Sequence, residues 1–109
     1  MISNRDDITT VLAGIKQDLG IDSAYSHFSK EPRYPVLTYI GNGQSQLLAD
    51  GTAYWKADTY QVELNFLKKD PSLEADIEDA FLAGGWNYSK SEDTYLDDEG
   101  VYVIFYQLS

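Results

Sequence analysis

The spacing of apolar residues near the start of the chain predicts an amphipathic helix. Five apolar residues fall on one face of a 3.6-residue period: Ile8, Val11, Leu12, Ile15 and Leu19. Ser3 and Asp6 have the spacing of a capping box, although aspartate stands where glutamate or glutamine is usual. Gly20 follows the last apolar position, where a left-handed residue commonly ends a helix. We therefore predict a helix that ends at Gly20.

A second helix is predicted after residue 70. Asp70 is a good N-cap, and Pro71 suits the first helical position because no hydrogen-bond partner exists there for the N–H group it lacks. Gly84 and Gly85 end this helix. Its predicted buried positions are Leu73, Ile77, Ala80 and Phe81. Its four other prominent residues are acidic and are expected to face water: Glu74, Asp76, Glu78 and Asp79.

Between the two helices the pattern changes to that of β-strands. Apolar and polar residues alternate over residues 59–66, so one face of this strand is expected to pack against the core and the other to face solvent. Residues 35–40 are rich in β-branched and aromatic side chains and predict another strand. Gly41 and Gly43 indicate a turn or bulge, after which residues 44–49 continue or pair with that strand. Asp50 and Gly51 are typical of a hairpin turn, because both tolerate a positive φ.

Shorter strands are expected on either side of these elements. Residues 24–28 fit a short strand or a loop, and residues 86–88 predict a short strand. Residues 95–96 fit a further short strand, which the predicted order below does not count. Residues 97–100 form a turn, and residues 101–108, apolar at both sets of alternate positions, predict a strand covered on both faces. The predicted order is α-β-β-β-α-β-β. We therefore expect an α+β fold with two helices and a mainly antiparallel sheet, in one domain spanning residues 1–109.

The charge balance argues against several classes of function. Eighteen acidic and eight basic residues leave a net charge of −10, which disfavours binding to nucleic acid or to an anionic membrane. No apolar run approaches the length of a membrane span, and residues 1–12 are too polar for a signal peptide. The chain has no cysteine and a single histidine, His27, so disulfides, thiolate nucleophiles and multi-histidine metal sites are excluded.

No motif of the sequence indicates catalysis. Gly41 and Gly43 lack the third glycine and the βαβ context of a dinucleotide site. The turn at residues 97–100 does not follow the ligand spacing of an EF-hand calcium loop. The carboxylates of the second helix and of this turn are typical of solvated surface. We expect no enzymatic activity, no cofactor and no metal site.

Aromatic residues near the predicted hairpin turn favour a binding role. Tyrosine and tryptophan are enriched at protein interfaces, and Tyr54 and Trp55 follow the turn closely. Ordinary cross-strand packing explains such residues equally well. If the segment is extended, the two occupy opposite faces, so one of them lies away from the core. The interface candidates are Asp50, Gly51, Tyr54 and Trp55.

The charges are unevenly distributed along the chain. Ten acidic residues and one basic residue, Lys90, lie between Asp70 and Glu99, whereas seven of the eight cations precede residue 70. An acidic surface and a more neutral one on one molecule suit head-to-tail packing in a ring. A surface that merely keeps the protein soluble explains the same distribution.

Several segments together resemble a family of phage proteins. They are Tyr34 to Tyr39, Ala49 with Asp50, Tyr54, Tyr60 to Leu64, Lys68 to Asp70, Glu74 to Phe81, Gly84 to Tyr88 and Val101 to Tyr106. In this order they resemble the small proteins encoded just upstream of the major tail protein in siphophages and prophages of Gram-positive bacteria. These proteins are similar to the tail terminator family, also called tail completion or head–tail joining proteins.

The resemblance implies a structural role without chemistry. An α+β subunit of this family assembles into a hexameric ring that caps the tail tube and joins it to the head connector. Its partners are copies of itself, the major tail tube protein and the connector or stopper, within a virion assembled in the bacterial cytoplasm. DNA passes through the ring without specific binding. Because an acidic lumen repels phosphate, we hypothesise that the channel is lined by some of Glu74, Asp76, Glu78, Asp79, Asp97, Asp98 and Glu99.

Two other assignments fit the sequence. The chain fits another neck component, such as a stopper or adaptor, because these proteins share its size and composition. It also fits a small acidic immunity or inhibitor protein that binds a basic partner by charge complementarity. Ring formation distinguishes the first group from the second.

Overall fold

The computed structural model describes the backbone of residues 5–49 and 53–109, and the side chains of residues 5–44 and 58–109. The described residues form two helices and six strands: α1 (Ile8–Leu19), β1 (Ser23–Tyr25), β2 (Val36–Ala49), β3 (Ala53–Phe66), α2 (Pro71–Ala83), β4 (Tyr88–Lys90), β5 (Thr94–Leu96) and β6 (Val101–Leu108). The predicted α+β fold is confirmed, with three strands after α2 where the predicted order has two.

Helix α1 begins later than the capping-box spacing predicts. Its N-cap is Asp7, whose side chain makes no capping hydrogen bond. The reason is that the backbone of Asp6 is held elsewhere: its N–H donates to Gly84 O at 2.9 Å, and Trp86 Nε1–H donates to Asp6 O at 3.0 Å. The end of α1 is as predicted, since Gly20 has a φ of 72° and donates to Lys16 O.

Helix α2 has the predicted ends. The Asp70 carboxylate accepts a hydrogen bond from the Leu73 N–H at 3.1 Å, and Pro71 is the first helical residue. The helix ends at Ala83, before Gly84. Trp86 belongs to this ending rather than to a strand, because its N–H donates to Phe81 O. The strand predicted at residues 86–88 therefore begins only at Tyr88.

The sheet is mainly antiparallel, as predicted. Its order is β1-β2-β3-β6-β4, with β5 also paired to β6, and β1–β2 is the one parallel pair among the described strands. Strand β1 covers only Ser23–Tyr25, since Ser26 leaves the extended conformation with a φ of 67°. The segments predicted at residues 35–40 and 44–49 are one strand, interrupted by a bulge between Gly41 and Gly43.

One face of the sheet packs against both helices and forms the core. The alternation predicted for β3 is confirmed there, since Val62, Leu64 and Phe66 are buried. The other residues of the core cluster come from α1, α2, β2, β6 and their ends: Ile8, Val11, Leu12, Ile15, Ile21, Leu37, Ile77, Phe81, Trp86, Ile104, Tyr106 and Leu108.

The opposite face of the sheet is more covered than the alternation predicts. Glu63 and Asn65 of β3 are half-buried because the segment over residues 26–34 and the end of β5 lie beside them. On β6, Val101 and Val103 are buried on this side, as expected for a strand covered on both faces. Tyr102 departs from the prediction that both faces of β6 are covered, since 39% of its surface is exposed.

Strands β2 and β3 extend far beyond the rest of the sheet. Each has 14 residues, but β1 pairs only with Leu37, Thr38 and Tyr39, and β6 pairs only with residues 60–66. Residues 43–49 and 53–59 therefore form a two-stranded projection, here called the ribbon. Seven residues per strand make it about 23 Å long, and the molecule measures 50 × 27 × 26 Å. The predicted turn at Asp50 and Gly51 lies outside the described residues.

Candidate interaction surface

The expectation that Glu74 faces water is wrong. Its carboxylate is buried, with 3% of the residue exposed, and two lysines neutralise it. Lys69 Nζ lies 2.8 Å from Oε2, and Lys90 Nζ lies 3.0 Å from Oε1. Glu74 shares a helical face with Ile77, Glu78 and Phe81, a spacing visible in the sequence. A search for apolar stripes misses it because a charged residue is buried only when partners are available.

Glu78 completes this cluster and is also drawn inward. Its Oε2 accepts hydrogen bonds from Tyr106 Oη at 2.6 Å and lies 2.7 Å from Lys90 Nζ, and its Oε1 accepts one from Tyr88 Oη at 3.2 Å. Burial would raise the pKa of Glu78, but the bonds from Lys90 and Tyr106 outweigh it and lower that pKa. Conversely, burial and the bond to Glu78 raise the pKa of Tyr106.

This cluster of charged side chains stabilises the fold. Each ionised group is opposite a partner of the other sign, and the shifts at Glu78 and Lys90 favour the ionised forms rather than proton transfer near neutral pH. The cluster ties α2 to β4 and β6. Neither Glu74 nor Glu78 therefore presents a free carboxylate to solvent. The hypothesis of an acidic channel lining then depends on the other five predicted residues.

Those five residues lie on different parts of the molecule. Asp76 and Asp79 are exposed beside a shallow groove between α1 and α2, where Asp18 also lies. Asp97, Asp98 and Glu99 are exposed in the turn between β5 and β6, and Glu99 borders a groove on the sheet face away from the helices. The fold does not bring the two groups together, so lining of one channel by both stays a prediction.

The alternation of apolar and polar residues predicts that Glu63 lies on the solvent-facing side of β3, and this prediction is wrong. The residue lies half-buried in a groove of about 380 Å³ between the sheet and residues 26–32. Burial and the nearby charge of Glu99 raise the pKa of Glu63. His27 borders the same groove; it is exposed, and its Nδ1 lies 3.3 Å from Ser26 Oγ.

Two of the four interface candidates, Tyr54 and Trp55, lie in the ribbon. Asp50 and Gly51 are outside the described residues. Tyr54 and Trp55 are consecutive positions of β3, and their register partners on β2 are Leu48 and Leu47. The extended conformation expected for this segment is confirmed, so the two positions belong to opposite faces of the ribbon.

The register divides the ribbon into two unlike faces. Cross-strand partners share a face, so the pairs Ser45–Ala57, Leu47–Trp55 and Ala49–Ala53 form one set of positions. The pairs Gln44–Asp58, Gln46–Lys56 and Leu48–Tyr54 form the other. The first set is apolar except for Ser45, and the second is mostly polar.

A second apolar region lies at the end of the sheet opposite the ribbon. Three rings form a row there: Tyr95 and Tyr102 have centroids 4.8 Å apart, and Tyr102 stacks on Phe66 at 5.5 Å. Phe66 also borders a groove of about 480 Å³ together with Leu67. We call Phe66, Leu67, Tyr95, Tyr102 and this groove the pole surface. The remaining groove residues are Tyr34, Pro35, Leu64, Lys68, Lys69, Asp70, Leu73 and Glu74.

Other classes of site are absent from the described residues. No described helix is long and apolar enough to cross a membrane. Over residues 5–44 and 58–109, no three acidic or histidine side chains are grouped so that they could hold a metal ion. Comparison with known proteins adds no relative, since no protein-family model and no curated protein sequence matches the chain.

Proposed function

We propose that this protein is a structural subunit of a phage neck, a tail-terminator-type protein that forms a ring. The ring, expected to be a hexamer, caps the tail tube and joins it to the head connector. The sequence resemblance supports this assignment. The observation that carries the assembly role is the ribbon, which extends about 23 Å past the strands that flank it.

Over the described residues, no further strand pairs with the outer edges of the ribbon, although Arg5 Nη2–H donates one hydrogen bond to Asp58 O at 3.2 Å. An isolated two-stranded hairpin is marginally stable in water, and its outer N–H and C=O groups are available for pairing with another chain. Over the described residues, β2 beyond Tyr39 and β3 before Tyr60 have only each other as strand neighbours. These edges support the proposal that the ribbon contacts a neighbouring molecule.

In the proposed ring, the ribbon of one subunit contacts a different surface of the next subunit. Such heterologous contacts generate closed rings when the rotation between neighbours closes. The net charge of −10 supports a passive channel, because a negative ring does not hold DNA by its phosphates. Within this proposal the exposed pair Asp76 and Asp79, or the turn at residues 97–99, faces that channel.

The test is the assembly state of the purified chain, alone and with the tail tube protein from the same genome. Size exclusion with light scattering and negative-stain imaging should show six-fold rings, either alone or on tube ends. The variant Trp55→Lys, which places a charge among the apolar ribbon positions, should remain monomeric, whereas Leu82→Lys, on the exposed side of α2, should assemble normally. A wild-type chain that stays monomeric in both conditions contradicts the proposal.

Two alternatives differ in their partners. A stopper or adaptor would form the ring but bind the connector rather than the tube end, which pull-down with each component distinguishes. An immunity or inhibitor protein would use an acidic surface, and the groove beside Glu63 and Glu99 favours a basic partner. That function predicts a monomer that binds a basic toxin tightly and never forms rings.

A further inference from the structure

Three carboxylates are partly or fully shielded from solvent over residues 5–44 and 58–109, and they differ in their partners. Glu74 is paired with Lys69 and Lys90, and Glu78 is paired with Lys90. Glu63 is half-buried, yet no cation of the described side chains forms an ion pair with it. Because a charge removed from water is tolerated when it is paired, Glu63 lacks the kind of partner that the fold gives to the other two.

The surroundings of Glu63 leave its charge largely uncompensated. Burial and the nearby charge of Glu99 raise its pKa, and of the described groups only the Thr38 hydroxyl, which bonds to the carboxylate, lowers it. Thr38 is buried, so this bond holds the carboxylate against the sheet. A hydroxyl donates a single hydrogen bond, whereas a carboxylate accepts about four. The remaining acceptor positions are available to a further donor.

The groove beside Glu63 has room for such a donor. It lies on the sheet face away from the helices and has a volume of about 380 Å³, enough for a long side chain. Three carboxylates border it, those of Glu31, Glu63 and Glu99, against one lysine, Lys30. Lys30 is exposed and forms no ion pair with any of them among the described side chains. Apolar residues of β2, β5 and β6 complete the walls.

We infer that this groove receives a basic side chain of a partner protein, whose cationic head group pairs with the Glu63 carboxylate. Arginine fits best, because its guanidinium carries five donors and can bond to Glu63 while it also faces Glu99. The apolar walls suit the aliphatic stem that both arginine and lysine place below the charge. The partner thus supplies the cation that Lys69 and Lys90 supply to Glu74 within the fold.

Charge complementarity favours a different, basic protein over other occupants. A second copy of this chain carries a net charge of −10 like the first, so repulsion opposes it, whereas the same charge attracts a basic partner. A divalent cation takes about six oxygen ligands, and no three acidic or histidine side chains of the described residues are grouped to hold one. The inference goes beyond ring formation, because the groove lies outside the ribbon.

Titration with a short basic peptide tests this pairing. The probe is a tripeptide of glycine, arginine and glycine with blocked ends, and its control carries citrulline, which has the shape of arginine without the charge. In amide NMR spectra, the arginine peptide should shift signals of groove residues such as Asn65 and Val101, and the citrulline peptide should not. Glu63→Gln should weaken the affinity about tenfold, the effect of losing one charge-assisted bond.

The matched control is Asp76→Asn, which removes one negative charge from an exposed position on α2 and should leave the affinity unchanged. Glu63→Gln should remain folded, because the fold provides no cation for it to lose, and thermal unfolding checks this. If that variant unfolds, Glu99→Gln, at an exposed position, decides instead and should weaken binding about threefold.

Several results would overturn the inference. They are equal affinities for wild type and the variant at the groove, equal binding of the citrulline peptide, and shifts spread over the exposed carboxylates of α2 instead of the groove. A titration with magnesium or calcium ions that moves the groove signals more than the arginine peptide would assign the groove to a metal ion. Size exclusion of the wild type measures ring formation separately, so failure of one proposal leaves the other standing.

Discussion

The Nζ atom of Lys90 on β4 lies 3.0 Å from Oε1 of Glu74 on α2, and this ion pair fastens the edge of the sheet to a helix. The Glu74 carboxylate is almost completely buried, whereas the Lys90 side chain is 34% exposed. A buried carboxylate is tolerated only where cations and hydrogen bonds replace its water. The pair therefore fixes the position of the segment after α2.

Glu74→Gln should destabilise the protein strongly, although the substitution hardly changes the shape of the side chain. The change removes the charge that holds Lys69 and Lys90 together, and breaking a buried ion pair costs about 3–5 kcal/mol when both partners are buried. Because both lysines are partly exposed, we expect a loss of about 2–3 kcal/mol. Urea unfolding measures it. Asp76→Asn, exposed on the same helix, should change stability by less than about 0.5 kcal/mol, and equal effects of the two variants would contradict the prediction.

Glu78 should make the stability of the fold sensitive to acid. Its pKa is lowered below the ordinary value of 4.5, so the unfolded chain binds a proton there before the folded chain does. The stabilisation is present above pH 4.5 and is lost as the pH falls through the lower, folded-state pKa. Glu78→Gln should therefore reduce the free energy of unfolding at about pH 7 and have a much smaller effect at about pH 3.

The matched control for this pH dependence is Asp79→Asn, an exposed carboxylate on the same helix. It changes the net charge equally but touches neither Lys90 nor Tyr106. Urea unfolding of wild type and both variants at the two pH values gives the comparison. A penalty for Glu78→Gln that is as large in acid as at neutral pH would show that the carboxylate acts through its shape rather than its charge.

Gly84→Ala should loosen the contact between the two helices. A Cβ at this position would lie 2.6 Å from Cγ2 of Val11, so a side chain or the backbone has to shift. Overpacking of this kind costs about 1–3 kcal/mol. Gly14→Ala is the control, because a Cβ there meets nothing within 4 Å and alanine favours the helix by up to about 1 kcal/mol. Opposite shifts of the thermal unfolding midpoint are expected.

Assembly of copies should strengthen with salt. Each copy carries a net charge of −10, so neighbouring copies in the proposed ring repel one another. Raising the salt from about 0.1 M to about 1 M shortens the screening length from about 10 Å to about 3 Å. Light scattering should then show a larger assembled fraction at equal protein concentration. A smaller fraction in high salt would indicate an interface held by ion pairs.

The local elements of the fold could be predicted from the sequence because their causes are local. Asp70 and Pro71 start α2 through contacts within one turn, and Gly20 ends α1 through its own φ. The alternation in β3 predicts which of its residues are buried, because strand geometry places alternate residues on one face. These properties need no knowledge of the rest of the chain.

The tertiary structure decided what depends on residues distant in sequence. Glu74 is buried because Lys90, 16 residues away, reaches it from another strand. The ribbon exists because β1 and β6 are shorter than the hairpin they flank, and the pole surface exists because β5 brings Tyr95 onto Tyr102. A sequence specifies local geometry directly, but burial and exposure at these positions follow from which elements meet, and that is fixed only when the whole chain packs.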